Sequence, residues 1–333
     1  MTNKYISTLR IFLLFFFFSV FFFSTGNIYS QQGLTLKVSP PILEIDVEPG
    51  RTYKEEVRFI NLNQWEKKTF YPEVLSFRAL GEQGAPEFLL DDEEESYTYS
   101  LAQWISLSLE PVTIAPLDTI TIPFTITIPA GAEAGGKYAA ILLSNQPGDI
   151  AVDDTAVALS GKTGIIILAK VPGDIYGSPY ITEFNTDKPW YDYLPVIFTL
   201  TVENRGNVHV KPVGKIEISN MFGKVVDDVL VNDALGNVLP ESKRSFSSEW
   251  SREKFTIGKY TAVLALGYGE ESRQFITDSL TFWVIPWKEI LIAVGILLFL
   301  IIAITVSVKQ YNKRLYKKMQ KEESDRKRNR YRE

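Results

Sequence analysis

Four short stretches carry residue types that could do chemistry, and each lacks a part. Ser160-Gly161-Lys162-Thr163 ends like a phosphate-binding loop. That motif needs a glycine five positions before Gly161, so that backbone N–H groups can wrap a phosphate, and Ala156 stands there instead. No helical pattern follows, so a hairpin turn is expected. His209 is the single histidine and the chain has no cysteine. A zinc site or a histidine-based triad would lack its other members, and a surface strand or loop residue is expected. Asp91-Asp92-Glu93-Glu94-Glu95 could bind calcium only if the backbone folded its carboxylates around an ion. The run has neither Asp-x-Asp spacing nor a turn glycine, which favours a solvated loop. Asp227-Asp228, and Asp233 near Gly236, read the same way. Paired carboxylates also serve glycosidases, which hold them roughly 5–9 Å apart, a separation that position along the chain does not define. No catalytic, cofactor or metal residue is assigned, and the chain reads as a non-enzyme.

Any surface on this chain must be positioned by its C-terminal apolar run. Residues 290–308 read ILIAVGILLFLIIAITVSV, without a charge. At about 1.5 Å per residue the run spans roughly 28 Å, close to the hydrocarbon thickness of a bilayer. Trp283 and Trp287 precede it, and such rings prefer the membrane–water interface. Lys309 opens a tail that runs to residue 333 with eleven Lys or Arg against four Asp or Glu. Basic flanks of this kind stay cytoplasmic, which places the preceding domains outside and the tail inside. At the other end, Lys4 and Arg10 precede an apolar run at 11–23, followed by Ser24, Gly26 and Ser30. Residues 1–31 therefore read as a secretory signal. Without signal and tail, 22 basic residues face 36 acidic ones. A net charge near −14 argues against nucleic-acid binding, which needs a basic face. With no cysteine, the exported part must be held by core burial rather than disulfides.

That part reads as strands. At 119–128, Ile120, Ile122, Phe124, Ile126 and Ile128 alternate with Thr119, Thr121, Pro123, Thr125 and Thr127, the period of a half-buried antiparallel strand. Pro123 lacks an N–H, which predicts an edge or a bulge there. Further strands are expected at 34–38, 42–47, 53–61, 69–80, 105–109, 137–144, 151–159 and 165–171. After Pro172-Gly173 and Gly177-Ser178-Pro179, a second set is expected from Tyr180, at 196–203, 215–219, 224–231, 245–250, 260–266 and 273–283. Short strands with regular turns and no long amphipathic helix predict an all-β fold of two tandem immunoglobulin-like β-sandwich domains plus one C-terminal transmembrane helix. The boundaries are 1–31 signal peptide, 32–174 outer sandwich, 175–285 membrane-proximal sandwich, 286–308 membrane helix and 309–333 basic tail.

A weak internal repeat joins the two domains. Gly136-Lys137-Tyr138-Ala139-Ala140-Ile141-Leu142 is echoed by Gly258-Lys259-Tyr260-Thr261-Ala262-Val263-Leu264, and an earlier strand in each domain closes on Asn61 or Asn204. Gly136, Tyr138, Gly258 and Tyr260 are expected to be structural. Glycine permits a turn, and a tyrosine can bury its ring while its hydroxyl bonds backbone.

The first domain carries Glu48-Pro49-Gly50 before the strand ending at Asn61, then Trp104-Ile105, Ala115-Pro116-Leu117-Asp118, Ile128-Pro129 and Ala134-Gly135-Gly136-Lys137-Tyr138. Together with the order of signal, two β-domains, one span and a basic tail, this resembles the WxL-interacting proteins of Gram-positive bacterial surfaces. The resemblance covers residues 34–171 and the overall plan. It implies that the outer domain binds peptidoglycan and the inner one binds host or partner proteins. The second domain is shorter than that family's.

The sequence thus describes a non-catalytic, single-pass membrane protein. It presents two sandwiches at the cell surface to cell-wall polymer or another surface protein, with no cofactor and no nucleic acid. Addition of a partner's extended segment to an edge strand is the expected mode. The alternative is a chaperone or assembly subunit for exported proteins. A cell-wall hydrolase is the third reading.

Overall fold

The computed structural model describes residues 36–89, 91–94, 96–145, 161–252, 255–269 and 274–330. The signal segment, the strand expected at 151–159, Ser160 and the Pro147-Gly148 turn lie outside these residues.

Alternation of apolar and polar residues builds the outer domain. One sheet has the order β1 (Leu36–Ser39), β3 (Thr52–Asn61), β8 (Thr119–Thr127) and β6 (Ile105–Ser106). The other has the order β2 (Ile42–Asp46), β10 (Lys162–Val171), β9 (Gly135–Ser144), β4 (Lys68–Leu80) and β5 (Ala85–Phe88), with β7 (Val112–Ile114) on the far end of β4. Pairing is antiparallel except between β2 and β10. Along β8, Ile122, Phe124 and Ile126 are buried while Thr119, Thr121 and Thr127 are exposed. They meet Val57, Phe59, Ile141 and Ile167 in one core. Burial of each large apolar side chain is worth about 1.5–3 kcal/mol.

Pro123 sits neither in an edge strand nor at a bulge. It pairs Glu56 of β3 in unbroken register. On the other side β6 reaches only Thr125 and Ile126, so the missing N–H falls where the neighbouring strand has already ended.

The inner domain repeats this plan. Its sheets are β11 (Pro179–Thr186), β13 (Val196–Asn204) and β16 (Ser242–Trp250), and β12 (Trp190–Tyr191), β18 (Gln274–Val284), β17 (Gly258–Tyr268), β14 (Val213–Asn220) and β15 (Val225–Val231). The β12–β18 pair is parallel, as β2–β10 is in the outer domain. Trp250, Phe198, Phe282 and Tyr260 fill the core and meet edge-on, tilted or stacked. The expected strands outside 151–159 are all present within a few residues. β5, β7 and β12 are additions. They are two to four residues long, too short to show a period.

A turn of helix, α1 (Asp91–Glu94), replaces the loop expected for the acidic run. Beyond β18, Ile285 and Pro286 lead into α2 (Trp287–Arg330). Its segment Trp287–Ser324 contains a window of mean hydropathy 3.1 with no residue buried against protein, which fits a single-pass membrane anchor. Lys309 lies on this helix and is exposed, and the basic tail continues it as helix to Arg330.

Candidate binding cleft between the two sandwiches

The junction grows from β9, whose ten residues are all buried. Ala139, Ile141 and Leu143 face the outer core. Tyr138, Ala140 and Leu142 face the other way, into a second cluster with Phe77, Leu168 and Leu239 of the inner domain. An unbroken apolar run such as Ala139–Leu143 is what burial on both faces of a strand demands.

Tyr138 is the polar hinge of this contact. Its hydroxyl accepts the His209 backbone N–H at 2.9 Å and lies 3.3 Å from the His209 Nδ1. A Cβ on Gly136 would lie 1.9 Å from that hydroxyl, so only glycine leaves room for it. Gly136 also donates its N–H to the Asn207 carbonyl at 2.8 Å. His209 is therefore buried at the domain junction rather than on the surface strand or loop expected for it. Burial pulls its pKa down to about 4, with Lys170 and Lys211 adding to the fall and Glu44 opposing it. The imidazole is neutral.

Polar ties ring the cluster. Lys211 Nζ reaches both Glu44 oxygens at 2.8 and 3.0 Å, and Asn237 Nδ2 donates to Glu44 Oε1 at 3.0 Å. Burial alone would raise Glu44, but those two donors outweigh it and hold its carboxyl below the usual range. Tyr99 donates to Glu241 at 3.1 Å, and burial followed by that bond pushes the phenol up to about 12. The Ser245 N–H bonds the Glu82 carbonyl at 2.7 Å.

A cavity of about 240 Å³ lies beside these contacts. Its walls are apolar on the outer domain, with Ile42, Phe77, Pro86, Ile166 and Leu168, and carry Asn237, Lys243 and Arg244 on the inner one. Two end-of-sheet strands, β5 and β16, border it. The Arg244 side chain donates from Nη1 to the Asn237 carbonyl at 2.8 Å, and its guanidinium lies 5.6 Å from the Phe246 ring. No carboxylate pairs with it among the described residues, and burial pulls its pKa below the ordinary value. Gly84 and Gly236 close on the guanidinium so tightly that a Cβ on either would meet it at 2.5 or 2.7 Å. Asn237 Oδ1 is buried without a donor. The cleft thus offers a half-buried cation without a carboxylate among the described residues and an unpaired acceptor, between apolar and polar walls.

The residues singled out in the sequence fall both at this junction and away from it. β9 and β17 hold the same position in their sheets, but Tyr138 points out of its sandwich and Tyr260 points into the inner core. Gly258, at φ +111, sits against Met221. The tyrosine echo is therefore offset by one residue in facing, and a one-residue offset exchanges the two faces of a strand. The asparagines do correspond. Asn61 Nδ2 donates to Glu66, Ile114 and Ala115 carbonyls while Oδ1 accepts the Asn63 N–H. Asn204 Nδ2 donates to Val208 and Val238 carbonyls while Oδ1 accepts the Gly206 and Ser178 N–H groups. Lys162 and Thr163 lie in β10, with Lys162 paired to Glu73 at 2.8 Å, so a strand and not a helix follows the phosphate-loop-like stretch. Glu94 accepts the Ser76 and Ser100 hydroxyls, Glu93 pairs Arg78 at 3.5 Å, and Asp227 accepts the Trp250 indole N–H at 3.0 Å. Among the described residues no cluster of three or more His, Asp or Glu is arranged to hold a metal ion. Trp283 and Trp287 are exposed at the foot of the inner domain. Arg244 and Asn237 were missed, because nothing in their local sequence shows that the other domain will cover them.

No family model matches the chain, and no curated protein matches it. Turn motifs of the outer domain meet in space. The Gly50 N–H bonds the Ile128 carbonyl at 3.0 Å, and the Asn61 N–H bonds the Asp118 carbonyl at 3.0 Å. Among solved structures, the class 5 fimbriae chaperone CfaA is 14% identical, with a TM-score of 0.36 over 73% of this chain and 98% of that one. The CupB2 chaperone of Pseudomonas aeruginosa is 8% identical, with a TM-score of 0.33 over 74% and 100%. The CsuC–CsuE chaperone–tip adhesion subunit complex of Acinetobacter baumannii gives 11% identity and a TM-score of 0.36 over 73% and 97%. Similarity at this level says nothing about what this chain binds.

Proposed function

We propose that the chain is a non-catalytic, membrane-anchored binding protein whose inter-domain cleft takes an extended segment of another exported protein, in an assembly or holding role. The observation that carries this reading is Arg244. Its guanidinium is half drawn out of water, lies against Gly84 and Gly236, bonds the Asn237 carbonyl, and has no carboxylate among the described residues. A half-buried cation without a carboxylate is open to an anionic group of a ligand. The cavity has room for a few side chains rather than a folded domain. Two terminal strands border it, and strand edges accept extended chains wherever they are free, as the β16 edge is, among the described residues, outside its Ser245 bond to Glu82.

The test is capture by the full-length, detergent-solubilised chain. An exported protein should co-purify with the wild type. Charge reversal in Arg244→Glu should weaken that binding by about 2 kcal/mol or more, roughly thirtyfold, without lowering the melting temperature. Undiminished capture by Arg244→Glu, or sedimentation with purified wall polymer instead of protein, would refute the reading.

A further inference from the structure

The end of the inner sandwich opposite the cleft gathers exposed aromatic side chains. Six exposed Trp or Phe precede α2 among the described residues: Trp65, Trp190, Phe222, Phe255, Phe275 and Trp283. Four of the six lie at this one end. Trp190 and Trp283 are direct partners in the β12–β18 pair, and both point away from the core that Tyr191 and Phe282 fill. Phe222, 85% exposed, tips the β14–β15 hairpin. Its neighbour Met221 abuts Gly258, which pairs Val284 at the end of β18. Phe255, 70% exposed, lies between Trp250 and Gly258. Such a collection facing water needs an occupant.

The chain beyond β18 sets that occupant. Only Ile285 and Pro286 separate Val284 from α2. The joint is also braced: Trp287 Nε1 donates to Asp192 at 2.9 Å, and the Tyr193 hydroxyl reaches Glu289 at 2.7 and 2.8 Å. The uncharged run begins at Ile290, three residues past Trp287. A braced joint of two residues cannot hold the sandwich away from the surface that the helix enters. Basic groups line the same end. Lys259 is beside Trp283 on the outward face, Lys224 follows the hairpin tip, and Lys288 sits 5.7 Å from the Trp287 ring. The nearby acids Asp187, Asp192 and Glu289 each accept a hydrogen bond from the protein.

We propose that this end of the inner sandwich seats in the interfacial layer of the bilayer that α2 spans, with Phe222, Trp190 and Trp283 immersed beside Trp287. Aromatic rings favour that layer, and lysines around them meet lipid phosphates. The inner domain would then stand fixed on the membrane and carry the cleft at its far end. This inference does not depend on what the cleft binds.

The chain has no cysteine, so a single one can be placed and spin-labelled. Full-length Phe222→Cys, Lys224→Cys and Trp65→Cys are reconstituted into vesicles of phosphatidylcholine and phosphatidylglycerol. Collision rates with oxygen and with a water-soluble nickel chelate are then read. The Lys224→Cys variant keeps Phe222 in place. Flotation of the protein with the vesicles establishes the anchor separately. A label at 222 or 224 shifted to a lipid-like oxygen-to-chelate ratio, against a water-like ratio at 65, is the expected result. Water-like ratios at both tip positions in floated protein would overturn the proposal.

Discussion

The junction depends on a histidine that must stay neutral. The His209 Nδ1 faces the Tyr138 hydroxyl at 3.3 Å, and Lys170, Lys211, Glu44 and Asp46 are the charged groups around the ring. The folded value lies near 4 and the unfolded one near 6.5, so the unfolded chain binds the extra proton between them. Stability is therefore complete above the unfolded value and falls as pH drops through the window. Between pH 7.5 and 5 the loss is about 2 kcal/mol. Calorimetry of the solubilised chain should show the melting temperature falling over that range, and His209→Gln should flatten the fall. An unchanged profile in the variant would place the acid sensitivity elsewhere. Glu44, held low by Lys211 and Asn237, adds its own loss only below the ordinary carboxylate range.

At the level of elements, the two domains share a device at the end of their second long strand. Asn61 closes β3 and Asn204 closes β13. Each is fully buried, and each carboxamide ties its own turn to a segment far along the chain. Alanine at either place would strip the turn of its carboxamide bonds and leave at least one carbonyl and one N–H short of a partner, while the Ala115 and Val238 carbonyls keep their backbone donors. Asn61→Ala and Asn204→Ala should each cost about 2–3 kcal/mol of stability by denaturant titration, whereas Asn185→Ala, on an exposed face, should stay within about 0.5 kcal/mol. Equal effects at all three positions would deny the clamp. The tyrosine echo teaches the reverse lesson. β17 alternates buried and exposed residues, so its facing can be read. β9 is buried throughout, so its sequence is apolar in either facing, and only the neighbouring domain decides where Tyr138 points.

Across the whole molecule, two sandwiches and a helix are joined in series, with the cleft at one end of the inner domain and the aromatic collar at the other. The residues after 308 are rich in Lys and Arg, and basic flanks of a span favour the cytoplasmic side. Protease added to intact cells should cleave the sandwiches and spare an epitope placed at residue 333, as immunoblotting would show. Loss of that epitope with intact sandwiches would invert the topology.

The all-β class, nearly every long strand and the apolar span were legible because each is a local property: a period of two or an uninterrupted run. The strands β5, β7 and β12 were not, being shorter than one readable period. Neither was the cleft. Arg244 occupies a strand of ordinary appearance, and His209 looks like a loop residue, until the outer domain closes over both. Burial by a distant part of the chain is a tertiary quantity. It alone turned a solvated cation into an unpaired one, and a lone histidine into a neutral hinge.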